Sequence, residues 1–275
     1  MSQPILTDRA ALAAHRARAA AKLTGTDRSA WFLHDEAQLE LQERLKDVNR
    51  QFTAPAIVTG QPNVWANVVS QARIVPDDAT LDLAPGAHDL VIHGMSLHWA
   101  DDPVGQLIQC RRALRPDGLF LGVTLGGDTL HELRAALAEA EVQLSGGLSP
   151  RVAPMGEVRD LGALLQRAGL ALPVADTLPL RVRYGDMFRL MLELRAMGET
   201  NALAARHRKP PSRELFSRAA RIYRDVFADE DGVLATFEMI FLTGWAPSDD
   251  QPKPLRPGSA QARLADALGV KEQGT

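Results

Sequence analysis

Two short stretches concentrate the side chains able to do chemistry. His98 and Trp99 close the run Ser-Leu-His-Trp at 96–99, and Arg195, Glu199 and Asn201 gather at the end of an apolar helical stretch. His98 can exchange a proton near neutral pH and is the candidate acid or base; the plainer use of such a residue is a hydrogen-bonded structural imidazole. Trp99 can stack on a substrate or close a core. Glu199 and Asn201, with Arg195 one turn earlier, form a polar cluster that either recognises a cationic or peptide substrate or ends a helix in solvent. Asp128 is read mainly as the N-cap of a helix over 129–144, with Glu132 reaching back toward it, and secondly as a polar group facing a substrate.

Gly60 ends a short apolar run at 56–60. Glycine there permits a sharp exit and the close approach of a ligand, or serves a simple strand-to-helix turn. Asp77, Asp78 and Asp82 follow as carboxylates able to accept hydrogen bonds from ligand hydroxyls, or as ordinary turn formers. His-Asp-Glu at 34–36 formally opens an iron site of two His and one carboxylate. Patterns this short arise by chance, and no second His partners it, so no metal is assigned. Cys110 falls on the apolar side of a helix and reads as a small core residue.

Periodicity supplies the elements that would hold these groups. Residues 8–24 and 34–50 have helical spacing, the second with Leu41, Leu45 and Val48 on one face. Residues 56–58 form a buried strand between Pro55 and Pro62, and a helix is expected over 63–71. Segments 89–92 and 118–123 are the clearest strands, joined by a helix over 102–114; that βαβ unit forces a parallel pair covered by helices on both faces. Helices follow at 128–144 and 156–168, the latter closed by Gly169 as a C′ residue. A strand over 178–184, helices over 186–197 and 213–227 and a last strand over 233–245 complete the series.

The expected domain plan is a helical lead-in over 1–50, a main domain over 51–246 and a flexible tail over 247–275, rich in Pro, Asp, Gly and Ser. With 275 residues, 45% hydrophobic and 24% charged, the chain can bury one substantial α/β core. A net charge of −3 gives no global pull toward nucleic acid, and no apolar run is long enough to span a bilayer. A single cysteine excludes a disulfide framework and suits a reducing, cytoplasmic setting. The Ala- and Arg-rich stretch over 9–22 fits a cationic surface helix, or an organellar targeting segment.

These residues carry a resemblance. The segment 89–99 with its Ser-Leu-His-Trp ending, Leu-Arg-Pro-Asp-Gly-Leu-Phe at 114–120, Gly-Gly-Asp-Thr-Leu-His-Glu-Leu-Arg at 126–134, Gly-Leu-Ser-Pro at 147–150, the run 160–169 and Met-Gly-Glu-Thr-Asn at 197–201 occur in order. In that combination the chain resembles the methyltransferase-fold assembly factor 5 family of respiratory complex I, itself similar to the biotin-pathway malonyl carrier methyltransferase. The resemblance implies a class I S-adenosylmethionine (SAM) methyltransferase-like sheet, seven-stranded and mostly parallel with an antiparallel last strand. SAM would lie over the carboxyl ends of the early strands, near Gly60, Asp77, His93 and Gly94. The substrate side would include Trp99, Asp128, Glu199 and Asn201. The implied partner is a peripheral-arm subunit of complex I, at the cytoplasm or peripherally at the inner membrane face, with hydroxylation of a protein arginine as the implied reaction.

The family pattern Asp-x-Gly-x-Gly-x-Gly is replaced here by Val-Thr-Gly-Gln-Pro-Asn-Val-Trp at 58–65, with one glycine and no acid. About 30 residues separate Val58 from Asp89, whereas one βαβ unit alone takes about that many, so the nucleotide-binding half is shortened. Two further functions therefore stand beside the first: a working SAM-dependent methyltransferase on a small molecule or carrier protein, and a cofactor-free scaffold.

Overall fold

The apolar runs at 56–58 and 89–92 become adjacent parallel strands, with Ile57 directly opposite Ile92. In the computed structural model, which describes residues 5–23 and 28–251, β1 (Pro55–Thr59) is buried throughout and lies between β2 (Arg73–Val75) and β3 (His88–Gly94). β4 (Leu114–Leu125) adds beside β3, and all four strands are parallel. β7 (Gly232–Trp245) runs antiparallel to β4, and β5 (Ala171–Tyr184) runs antiparallel to β7 at the edge. A two-residue strand, β6 (Ala228–Asp229), also pairs with β7 and completes a seven-stranded sheet. Pro173 and Pro179 sit in β5, where a missing N–H is tolerated because one side of an edge strand has no partner.

Strand alternation divides the apolar residues between two cores. Leu90 and Ile92 face α2 (Phe32–Val48), α5 (His131–Ser145), α7 (Met187–Met197) and α8 (Arg213–Phe227). Val91 and Phe120 face the opposite way, onto α4 (Pro103–Ala113) and α6 (Val158–Arg167). A parallel sheet buried on both faces needs β-branched and aliphatic residues at consecutive positions, which β1 and β3 provide. From the amino-terminal region, α2 sends Leu33, Ala37 and Leu41 into the first core, each at most 1% exposed. Gly169 takes φ +78° after α6, as its role at C′ requires.

Two expectations are corrected. In place of a helix over 63–71 there is a single turn, α3 (Pro62–Trp65), because the fully buried Trp65 pins the chain by donating its indole N–H to His34 Nδ1 at 3.0 Å. The residues after it only bridge to the short strand β2, passing through a positive φ at Gln71. Asp128 is not the N-cap of α5: that place belongs to Leu130, at φ 56° and without a side-chain cap bond. The loop is tied to β7 instead, through Thr129 Oγ1 to the Glu238 N–H, while Glu132 turns inward to take the Thr236 N–H and hydroxyl. Of the tail expected from 247, residues 252–275 lie outside those described. Among the described residues no helix is long and apolar enough to cross a membrane.

Candidate functional site

β3 ends at Gly94, and the chain turns through Met95 at φ 47° into a short 3-10 turn, Leu97–Trp99. That turn lays His98 and Trp99 over the carboxyl edge of the sheet, where open α/β sheets bind ligands. Glu199 arrives from the other side. Gly198 ends α7 at φ +83°, and the Glu199 N–H folds back to the Leu194 carbonyl, which swings the Glu199 side chain inward. Glu199 Oε2 accepts from Trp99 Nε1 at 2.7 Å and contacts His98 Nε2 at 3.2 Å.

A carboxylate only accepts, so His98 Nε2 carries the proton of that contact, while Nδ1 lies 3.3 Å from Thr124 Oγ1. Burial pushes the Glu199 carboxyl up, yet the hydrogen bond and charge of His98, the Arg16 guanidinium and the Trp99 N–H hold it down at about 2. Glu199 is therefore an anion inside the protein. Its Oε1 has no hydrogen-bond partner among the described residues.

Glu199 lines a cavity of about 430 Å³, within the roughly 300–1,000 Å³ range of small-ligand sites. Leu125, Leu133, Leu137, Met155, Leu194 and Phe237 make its wall apolar. The mouth is basic. His15, with Nδ1 3.2 Å from the Thr200 carbonyl, is lowered by burial and further by Arg18, Arg206 and Arg195, which converge on it. Arg206 is paired with Asp8 at 2.9 Å; Arg18 and Arg195 are exposed and have no acidic partner among the described residues. Asn201 also lines this cavity, but its amide donates to the Pro150 carbonyl and accepts from the Leu203 N–H, so its polar atoms hold the loop. Asp128 is exposed and does not line the cavity. His98, Trp99 and Glu199 are thus brought into one cluster, and Asp128 stands apart from it.

The cofactor-side candidates also divide. Gly60 and Asp77 line one cavity of about 480 Å³ at the carboxyl ends of β1 and β2. His93 is fully buried, bonded through Nε2 to Gln106 Oε1 at 2.8 Å, and held below the usual imidazole range by burial. Gly94 packs against the Trp65 ring, where a Cβ would come within 2.8 Å. These two residues support the core beside the cavity.

The residue that dominates this edge is one the sequence reading missed. Arg16, on α1 (Arg9–Lys22), is 8% exposed and lies on the buried stripe Leu12, Arg16 and Ala19. Its Nη1 donates to Asp77 Oδ1 at 2.8 Å, and Arg9 adds contacts to the same carboxylate and to the Asp77 carbonyl. Burial raises the Asp77 carboxyl, but Arg16 and Arg9 leave it below the ordinary range. The i, i+4, i+7 spacing of that stripe was the available signal, obscured because a buried arginine is rare.

Four parallel strands, an antiparallel final strand and two cavities at the carboxyl edge define a class I methyltransferase fold. A methyltransferase domain profile matches residues 9–122. The chain belongs to the family of methyltransferase-fold proteins that includes the complex I assembly factor 5 proteins. It is 39% identical over 194 residues to "Arginine-hydroxylase NDUFAF5, mitochondrial" of Danio rerio, an alignment covering 70% of this chain and 60% of that protein. It is 31% identical over 186 residues to "Putative methyltransferase RP459" of Rickettsia prowazekii, covering 67% of this chain and 81% of that one. It is 33% identical over 177 residues to "Malonyl-[acyl-carrier protein] O-methyltransferase" of Laribacter hongkongensis, covering 64% and 57%. The chain spans about 60% of the length of the Danio relative.

SAM is the cofactor that the fold family implies, and the residues at this edge do not suit it as they are arranged. The face of Gly60 that would admit a ligand is covered by Arg16, whose Cζ lies 2.0 Å from where a Cβ would stand. The carboxylate suited to ribose hydroxyls, Asp77, is already engaged by two guanidinium groups. The strand exit carries one glycine and leads into one helical turn, so the usual cradle of backbone N–H groups is lacking.

Proposed function

We propose that the protein is an assembly factor of the respiratory complex I type, which seats an arginine-bearing segment of a peripheral-arm subunit in the Glu199 cavity. The observation that carries this reading is Glu199 itself: a largely buried carboxylate, held ionised, with one oxygen met by Trp99 and His98 and the other without a hydrogen-bond partner among the described residues. Guanidinium is the natural complement of such an anion, because its planar donors meet a carboxylate in charge-assisted bonds. The apolar wall takes the methylene stem, as arginine side chains commonly bury theirs. The exposed Arg18 and Arg195 at the mouth, without an acidic partner among the described residues, favour acidic residues flanking that arginine. The name of the Danio relative, an arginine-hydroxylase, supports the same substrate group.

Seating is the part that these residues account for. Hydroxylation requires an oxidant, and His34, which begins the His-Asp-Glu run, is buried against Trp65 and lowered to about 4 by burial.

The test is capture of complex I subunits from a cell extract by tagged protein, followed by mass measurement of their arginine-containing peptides. Recovery of one peripheral-arm subunit by the wild type, lost in Glu199→Gln, is the expected result. Equal recovery by both would sink the arginine seat. A second reading, a methyltransferase acting on a carrier protein, is supported by the acid-seeking mouth and opposed by the position of Arg16. Calorimetry with SAM and its demethylated product separates the two: a dissociation constant tighter than about 100 μM, or roughly −5.5 kcal/mol, would favour the enzyme. Absence of both binding events would leave the cofactor-free scaffold.

A further inference from the structure

α7 builds one wall of the Glu199 cavity, to which it contributes Met191, Leu194 and Arg195. Outside the mouth the same helix carries Phe188 and Leu192, which do not line the cavity and are 45% and 59% exposed. They precede Arg195 by seven and three positions and so share its side of the helix. The inward face is filled by Met187, Leu190, Leu194 and Met197, and Glu193 on the flank accepts from the Tyr184 hydroxyl. Exposed apolar residues scattered singly are ordinary, whereas a pair stacked one turn apart beside the mouth of a binding cavity is the form an interaction site takes. Charge frames this stripe: Arg189 near its start and Arg195 at its end are exposed and have no acidic partner among the described residues.

We propose, building on the arginine seat, that this stripe is a second subsite for the same partner segment, and that it selects an apolar residue two positions from the arginine on an extended chain. Spacing sets that number. At a rise of about 1.5 Å per residue, Leu192 and Phe188 stand about 4.5 and 10.5 Å before Arg195 along the helix axis. Side chains of an extended segment alternate, so the next one on the arginine's face is two residues away, about 7 Å, and falls between Leu192 and Phe188. Charge points to the same occupant, because Arg189 and Arg195 meet the acidic flanks that the mouth already favours. A second copy of this chain is the poorer occupant: packed stripe to stripe about a two-fold axis, it would bring Arg189 and Arg195 of one copy against those of the other.

Fluorescence anisotropy would use labelled peptides with a central arginine, acidic ends and alanine elsewhere, in which a single leucine is moved through one to four positions on either side. Leucine two positions away, on one side only, should tighten binding to the wild type by at least about tenfold, with little gain at one or three positions. Phe188→Ala and Leu192→Ala, both compatible with an exposed helix, should each lose most of that gain while the preference for arginine over citrulline stays. Val226→Ala, which trims an exposed side chain on α8, should change neither, and circular dichroism confirms that each variant is folded. If arginine is preferred by the wild type and not by Glu199→Gln, but leucine adds nothing or adds equally at every position, the subsite is overturned and the seat stands. If leucine adds its gain without any preference for arginine, the seat falls and the subsite, as a neighbour of it, falls too. No preference of either kind overturns both. A dimer seen in sedimentation and abolished by Leu192→Ala would overturn the proposal in favour of a second copy.

Discussion

Trp99 and His98, consecutive in sequence, point their ring nitrogens at the same oxygen of Glu199, at 2.7 and 3.2 Å. Consecutive residues rarely share a target, because an extended chain sends them to opposite sides; the 3-10 turn at Leu97–Trp99 allows it here. The arrangement fixes a negative charge about 100 residues away in sequence, joining β3 to the end of α7. Its consequences are thermodynamic as well as functional.

The first concerns pH. Glu199 is lowered from 4.5 in its ordinary state to about 2 in the fold. A depressed carboxyl contributes stability that is fully present above its unfolded value and is lost as pH falls through its folded value. The window is therefore from about pH 4.5 down to about pH 2. Urea unfolding of the wild type and Glu199→Gln should show a stability gap that is constant above about pH 5 and shrinks through that window. A gap unchanged down to pH 2 would mean that the fold does not lower the Glu199 carboxyl.

Removing one donor tests the same cluster differently. Trp99→Phe keeps most of the ring and deletes the N–H, and a hydrogen bond to a charged group contributes about 1.5–3 kcal/mol, so a loss of that order is expected. Because Trp99 and Glu199 are partners, the double variant with Glu199→Gln should lose less than the sum of the two single losses. Strict additivity in denaturant titrations would show that the bond does not form.

Much of this architecture was legible because burial leaves a simple trace in sequence. The apolar runs around Ile57 and Ile92, bounded by proline or joined by a helix, give both the strands and their pairing. His98, Trp99 and Glu199 were legible as candidates from residue type and from their places after a strand and at a helix end, though not as mutual partners, which depends on φ +83° at Gly198. What stayed hidden had tertiary causes. The stretch 63–71 carries a helical apolar pattern, but Trp65 spends its anchor on His34 after a single turn. Asp128 precedes a helix with good capping chemistry, but the loop is held by Glu238 and Thr236 of β7. Arg16 was concealed by composition: in a helix of alanines and arginines, its spacing from Leu12 is the one local mark of the arginine that is buried.

Leu41 tests whether the amino-terminal helices belong to the main core. It is fully buried with Ile57 and Leu90 in the same cluster. Leu41→Ala should cost about 2–5 kcal/mol and keep a single unfolding transition, since the cavity opens inside the sheet's own core. A loss below about 1 kcal/mol, or a separate early transition in calorimetry, would mean that α2 is an appendage to an independent domain.

The basic mouth makes a prediction about salt and partner charge. Arg18 and Arg195 are exposed and have no acidic partner among the described residues, so their effect on a binding partner should be long-ranged, acting on encounter more than on the final contact. A peptide with one arginine between two acidic residues should bind better than the same peptide with neutral flanks, and the advantage should fade as ionic strength rises beyond about 0.15 M, where the Debye length is about 8 Å. Arg18→Glu with Arg195→Glu should remove the preference and slow association by about tenfold at low salt, leaving dissociation nearly unchanged. Surface plasmon resonance at two salt concentrations reads both rates. If the neutral peptide bound equally well to the wild type, the mouth would have no selective role; if only dissociation changed, the two arginines would be direct contacts and not a steering field.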